Sequence, residues 1–284
     1  HGYAPILVDL TDKTRFDRTN KLVVSTKGLQ PSTRWYSGAG VYRDVFLWTG
    51  GDVRVEPRDL FITTPEVTDE KATVRAAYAI AADRAASVTV KSTVIAPDGQ
   101  VAAQAQGALS VLAGEKTPLE LTLSVDHPQL WDVDSPALYT LKTEIYADGA
   151  LTDEAETAFG IRTIEADAIH GFRLNGKPLK MRGGCIHHDH GVLGAAAFPA
   201  AEERKLTLLK KAGFNAVRIA HNPPSLALLE VCDRIGMLVM DEAFDMWREQ
   251  KTGVDYHLWF ADWWARDIAA MVLRDRNHPC VVSY

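Results

Sequence analysis

The sequence predicts a multidomain chain that combines β structure with α/β structure, and three observations carry that prediction. Alternating apolar and polar residues recur in short runs over the middle of the chain. From about residue 166 strand and helix patterns alternate. The first 58 residues carry only isolated β-branched or aromatic runs. At 284 residues the chain is too long for one ordinary domain and suits two or three.

The middle is the clearest part. Leu119, Leu121, Leu123 and Val125 alternate with Glu120, Thr122 and Ser124, and Val88, Val90 and Val94 with Thr89, Lys91 and Thr93. Tyr139, Leu141 and Ile145 repeat the pattern. Turn signals such as Pro97-Asp98-Gly99 and Asp148-Gly149 separate the runs. Short strands at this spacing over about 100 residues predict an immunoglobulin-like β-sandwich.

Ahead of it, Ile6 to Leu10, Lys21 to Ser25 and Val41 to Trp48 read as strands. Three strands cannot bury a sandwich core alone, so they are expected to be the tail of a larger β domain. His1-Gly2-Tyr3 is not a start methionine and no signal peptide follows, so the chain is expected to begin within a domain. Its compartment is left unassigned.

Behind the sandwich, Lys180 to His187 reads as a strand and leads to a helix from near Pro199, with Leu206, Leu209 and Ala212 on one face and Gly213 as its stop. Asn215 to Ala220 is a second strand, followed by a helix to Ile235 stopped by Gly236. The apolar run Met237 to Met240 is a third strand, buried on both faces. A third helix carries Phe260, Trp264, Ile268 and Met271, and Val281 to Tyr284 opens a fourth strand. Four parallel strands make either a small doubly wound sheet or half of a (β/α)8 barrel. No glycine-rich phosphate loop follows any strand, which counts against nucleotide binding.

Composition is globular, 46% hydrophobic and 24% charged. A net charge of −6 with no basic block argues against a nucleic-acid partner. No apolar run approaches the roughly 20 residues of a membrane helix. Cys185, Cys232 and Cys280 are odd in number and far apart, and they are expected to be buried free thiols.

Chemistry in such strand–helix units sits at the C-terminal ends of the strands. Those ends read His187-His188-Asp189-His190, then Arg218-Ile219-Ala220-His221-Asn222-Pro223, then Asp241-Glu242-Ala243-Phe244-Asp245-Met246-Trp247. Four consecutive residues on a strand cannot all converge on one metal, so none is assigned to His187 to His190 and polar contacts to a substrate fit better. Backbone-satisfied packing remains a fair reading of His187. Of Asp241 and Glu242, alternation lets only one face the barrel axis, and a structural carboxylate paired with Arg218 is the reading closest to hand. Trp247 lies past a strand end, where stacking on a sugar ring is plausible. Trp259, Trp263 and Trp264 lie on a helix and are expected to pack in the core.

Residues 215–223, Asn-Ala-Val-Arg-Ile-Ala-His-Asn-Pro, followed by 232–242, Cys-Asp-Arg-Ile-Gly-Met-Leu-Val-Met-Asp-Glu, closely resemble the first signature of glycoside hydrolase family 2. Residues 274–284, from Arg274 through Asn277-His278-Pro279 to Tyr284, resemble the opening of the second. Residues 34–45, Arg-Trp-Tyr-Ser-Gly-Ala-Gly-Val-Tyr-Arg-Asp-Val, look like the close of that family's sugar-binding domain.

The resemblance implies three parts: a partial jelly-roll β-sandwich over 1–58, the immunoglobulin-like β-sandwich over 59–165, and a truncated (β/α)8 TIM barrel over 166–284. It implies retaining hydrolysis of terminal β-glycosidic bonds by two glutamates roughly 5 Å apart, β-galactosides first, with β-glucuronides, β-mannosides or a non-catalytic carbohydrate-binding piece as alternatives. The acid/base is expected just after Tyr284 and the nucleophile from a later strand, so the chain alone is expected to be inactive. By the same resemblance Arg218 supports the missing nucleophile. His188, Asp189, His221, Asn222 and Trp247 line the sugar site with Asp241 and Glu242, and Arg34 and Trp35 reach in from the first domain. Asn222 departs from the tyrosine found in many members. No cofactor or metal is implied; the partner is a carbohydrate, with homo-oligomerisation of the full-length protein left open.

Overall fold

A computed structural model describes residues 2–29 and 31–284, so His1 of the opening tripeptide lies outside the described residues. From Val53 the alternating runs become strands: β1 (Val53–Val67), β2 (Lys71–Ala82), β3 (Ala86–Ile95), β4 (Val101–Val111), β5 (Lys116–Asp126), β6 (Tyr139–Ala147) and β7 (Ala150–Phe159). They form two antiparallel sheets, β1-β2-β5 and β4-β3-β6-β7. The inward set of each strand is the apolar one. Val88, Val90 and Val94 of β3 meet Leu121, Leu123 and Val125 of β5 and Tyr139, Leu141 and Ile145 of β6 in one core. The hydroxyl of Tyr78 lies in that core, 2.7 Å from Ser92 Oγ and 3.0 Å from Thr143 Oγ1, so the buried polar atoms satisfy one another. Asp148 and Gly149, both at positive φ, make the tight β6–β7 hairpin that the Asp-Gly pair announces.

A small sheet of β8 (Ile164–Asp167), β9 (Gly171–Leu174) and β10 (Lys177–Pro178) leads into the last part. There β11 (Gly183–Ile186), β12 (Ala216–Ile219), β13 (Leu238–Met240) and β14 (Val281–Ser283) are parallel and adjacent in chain order. The intervening helices are α1 (Pro199–Lys211), α2 (Leu226–Ile235) and α3 (His257–Asp275). A doubly wound sheet reverses its strand order at a switch point; this one does not, which decides for part of a barrel. Helix α2 begins where Ser225 Oγ accepts the Leu228 N–H at 3.2 Å and ends where Gly236 turns left-handed at φ 72°.

Sandwich and barrel are bolted together. Trp131, fully buried, donates its indole N–H to the Asp233 carbonyl at 2.8 Å. Asn277 donates to the Leu60 carbonyl and accepts from the Ile62 N–H, both at 3.0 Å. Arg162 donates to the Val281 carbonyl at 2.9 Å.

Three expectations need correction. Ile6 to Leu10, Lys21 to Ser25 and Val41 to Trp48 form no strands; among the described residues before Val53 the chain is irregular. Val23 and Leu47 are largely exposed there. A β-branched run becomes a strand only where another segment pairs with it, and no described segment pairs with these three. Cys185 is exposed, on the edge strand β11, whereas Cys232 and Cys280 are buried as expected. Trp259, Trp263 and Trp264 are each about two-fifths exposed. Helix α3 buries the stripe Phe260, Asp267, Met271 and Asp275 instead, and the tryptophans flank it.

Candidate functional site

The tips of β11, β12 and β13 converge, and Glu242 is where they meet. Just past β13, it takes an ion pair from Arg218 Nε on β12, while His221 Nδ1 lies 3.2 Å from its Oε2. Arg218 also donates to Cys185 Sγ on β11 at 3.0 Å. One guanidinium thus spans three neighbouring strands. Burial, and then the charge of Arg34, lower the pKa of His221. The Ala220–His221 peptide bond is cis.

The irregular N-terminal segment lies across these tips. Trp35 donates its indole N–H to Asp189 Oδ2 at 3.0 Å. Arg34 Nε and Thr33 Oγ1 both donate to Asp245 Oδ2, at 2.9 and 2.8 Å. The rings of Trp35 and Tyr36 pack on His187, with centroids 4.9 and 5.7 Å away, and His187 lies 5.5 Å from the His221 ring. Arg43 donates to the Pro223 carbonyl at 2.7 Å. The Arg34 and Trp35 expected to reach this region therefore do so, although no sheet carries them.

His188 is buried, its Nε2 3.1 Å from the Asn222 carbonyl and its ring 4.8 Å from that of Tyr3. Burial, reinforced by Arg43, pushes its pKa down to about 3, so the ring is neutral and Nε2–H is the donor. Asn222 is also buried. Trp247 is 63% exposed, its ring near-parallel to that of Phe260 at 5.9 Å, so one indole face is free.

Asp241 is a correction. Expected with Glu242 among the sugar contacts, it is fully buried and turned toward Asp275 at the end of α3. Residues 241 and 242 leave the strand on opposite sides, as the pleat requires. Asp245, Tyr36, Tyr3 and Arg43 belong to the same assembly and were not singled out. Asp245 stood within the polar β13 tip, and Tyr36 and Arg43 within the 34–45 segment, and could have been weighed there; nothing in the sequence marks Tyr3. His187 Nδ1 lies 3.2 Å from the Ala220 carbonyl, so its backbone-satisfied reading holds alongside its ring contacts. Among the described residues no group of three or more His, Cys, Asp or Glu side chains could hold a metal ion.

The family model for glycosyl hydrolases family 2 matches residues 53–162, and that for the family's TIM barrel domain matches 167–284. A β-galactosidase of Bacteroides ovatus is 42% identical over 100% of this chain and 34% of its own length. A β-glucuronidase of Bacteroides fragilis is 28% identical over 85% of this chain and 36% of its own. Among solved structures, a family 2 member from Bacteroides cellulosilyticus superposes with a TM-score of 0.88 at 41% identity, over 96% of this chain and 37% of that one. The β-glucuronidase of Bacteroides uniformis gives 0.76 at 29%, over 88% and 31%. The chain spans about a third of the length of these relatives. With both its sandwich and its barrel strands matched, the chain belongs to family 2 of the glycosyl hydrolases.

Proposed function

We propose that this chain forms the sugar-facing first part of the active site of a retaining β-glycosidase whose substrates are terminal β-galactosides. The observation that carries the reading is the Arg218–Glu242–His221 cluster on adjacent strand tips, roofed by Arg34 and Trp35. A sugar ring needs aligned hydrogen-bond partners and a flat apolar face. Asp189, His221 and Glu242 provide the first, and the exposed indoles of Trp35 and Trp247 the second. His188 and Asn222, being buried, act beneath this surface and hold the β11 and β12 tips together.

In this reading Glu242 is not a catalytic glutamate. Its charge is already matched by Arg218, and the resemblance puts the acid/base just past Tyr284 instead. Arg218 supports a nucleophile carboxylate that belongs to the rest of the protein, as does the acid/base. The galactoside assignment rests on the 42% identity to the Bacteroides ovatus β-galactosidase, a match that spans all of this chain and 34% of that protein.

The test is hydrolysis of a chromogenic β-galactoside by the full-length gene product beside the 284-residue chain. Turnover by the former and none by the latter is expected. Turnover by the chain alone would overturn the placement of the catalytic carboxylates. A full-length protein active on β-glucuronides or β-mannosides but not on β-galactosides would overturn the substrate assignment and leave the site reading standing.

A further inference from the structure

The end of β13 carries two carboxyl groups with opposite surroundings. Glu242 is matched by Arg218 and His221. Asp241 points the other way and is fully buried. Its backbone N–H donates to the Ser283 carbonyl at 2.9 Å, joining β13 to β14, but its carboxyl receives no side-chain donor among the described residues; only the neighbouring Glu242 N–H favours its charged form there. The group within hydrogen-bonding reach is the Asp275 carboxyl, also fully buried. Asp275 already has its cation: Arg274 Nη2 donates to its Oδ2 at 2.7 Å and Arg274 Nε to its Oδ1.

Counting only the cation in ion-pair contact, Arg274, the two carboxylates together would carry one uncompensated negative charge; Arg58 acts on Asp275 only through its longer-range field. Arg274 and Asp275 face it from α3, Tyr284 from beyond β14, Arg58 from β1, His278 from the turn before β14, and Glu242 follows in the chain. Burial raises the Tyr284 pKa, so the phenol is neutral. The His278 ring is taken by Asp233. Arg274 is the one cation in ion-pair contact with the two acids among the described residues. Two ionised carboxylates in contact, both dry and one without a side-chain donor, are strongly disfavoured. The acceptor–acceptor contact becomes a hydrogen bond if one acid keeps its proton.

We propose that Asp241 and Asp275 share one proton at neutral pH, and that this acid–carboxylate hydrogen bond latches the end of α3 to the ends of β13 and β14. Arg274 neutralises Asp275, so Asp241 holds the proton and donates it. Burial, and then the charge of Asp275, push the Asp241 carboxyl up to about 9. The latch opens as pH rises through that value, at the strand end that presents Glu242. In the unfolded chain Asp241 ionises near its ordinary value of about 4. Between these limits the folded state binds one more proton than the unfolded. The pair alone therefore raises the unfolding equilibrium constant about tenfold per pH unit, a loss that stops above about 9.

Asparagine mimics a protonated aspartic acid in size and as a donor, so Asp241→Asn keeps the latch and removes its titration. The full-length protein and this variant are compared by carboxyl-band infrared difference spectroscopy and by unfolding across pH 6 to 8. The native protein is expected to show a protonated-carboxyl band at pH 7 that the variant lacks, and a pH dependence steeper by about tenfold per unit. Identical bands and parallel pH profiles would overturn the proposal. If the variant does not fold, the native protein decides alone: a carboxyl band that disappears between pH 8 and 10 supports the shared proton, and the lack of one overturns it.

Discussion

Arg34 Nε donates to Asp245 Oδ2 at 2.9 Å, and its Nη2 pairs with Oδ1, although 211 residues separate the two in the chain. The contact fastens a segment without secondary structure onto the tip of the barrel strand β13. It also brings Trp35 to Asp189 beside it. A two-point guanidinium–carboxylate pair fixes direction as well as distance, which suits a segment with no sheet to hold it.

Asp245→Asn should expose how much that pair contributes. Burial alone would raise the Asp245 carboxyl, but the hydrogen bonds from Arg34 and Thr33 outweigh it and hold the pKa below the usual range. Its stabilisation is therefore present above the unfolded-state value of about 4 and is lost as pH falls through the folded value. We expect the variant to be about 1.5–3 kcal/mol less stable at pH 7. The gap should close below about pH 3 in denaturant unfolding followed by tryptophan fluorescence.

Glu242→Gln tests the centre of the site. The amide keeps the volume but removes the charge that Arg218 and His221 surround. Losing one charged hydrogen-bond partner costs about 1.5–3 kcal/mol, which under the proposed function is a ten- to hundredfold fall in kcat/KM of the full-length protein on a β-galactoside. Steady-state kinetics with chromogenic substrates measure it.

His188 should stay neutral where ordinary histidines charge. Its folded pKa of about 3 lies below the unfolded value of about 6.5. The stability it contributes is complete above about 6.5 and declines as pH falls from there toward 3. Imidazole NMR resonances of His188 that stay constant from pH 7 to 4.5, in the Nε2–H tautomer, are the expected result. A His188→Gln variant should lose less stability on acidification than the native chain.

Two glycines separate backbone conformation from crowding. Gly213 and Gly236 both sit at positive φ, 92° and 72°. A Cβ at Gly213 meets nothing within 4 Å, whereas at Gly236 it would come 2.3 Å from the Val133 carbonyl, where the β5–β6 loop of the sandwich packs on the end of α2. Gly213→Ala should cost about 1–2 kcal/mol for the left-handed backbone alone. Gly236→Ala should cost more and loosen that junction. Thermal unfolding of the two variants side by side gives the comparison.

The runs that became β3, β5 and β6, and the strands and helices from β11 onward, were legible because their signals are local. A period of two along Val88, Val90 and Val94 states which face is dry, and Ser225 and Gly236 mark the ends of a helix by chemistry that needs no distant partner. The polar strand tips were legible for the same reason, as ionisable residues following apolar ones. The strands expected before Val53 failed because a β-branched run becomes a strand only when another pairs with it, and the sequence of the run cannot supply the partner. The helix tryptophans failed likewise, since helical spacing shows which residues share a face but not what covers it.

The amino-acid sequence by itself determined the sandwich, the order of barrel strands and helices, and the polar tips where the site lies, since each follows from periodicity within about ten residues. Only the tertiary structure decided that Glu242 faces Arg218 while Asp241 turns into the dry layer beneath α3, and that Arg34 and Trp35 close over Asp245 and Asp189. Those outcomes depend on which side of a strand end faces the axis and on contacts between residues more than 150 positions apart in the chain. Such contacts form because folding brings complementary charges and donors together in space, and no pattern along the backbone records them.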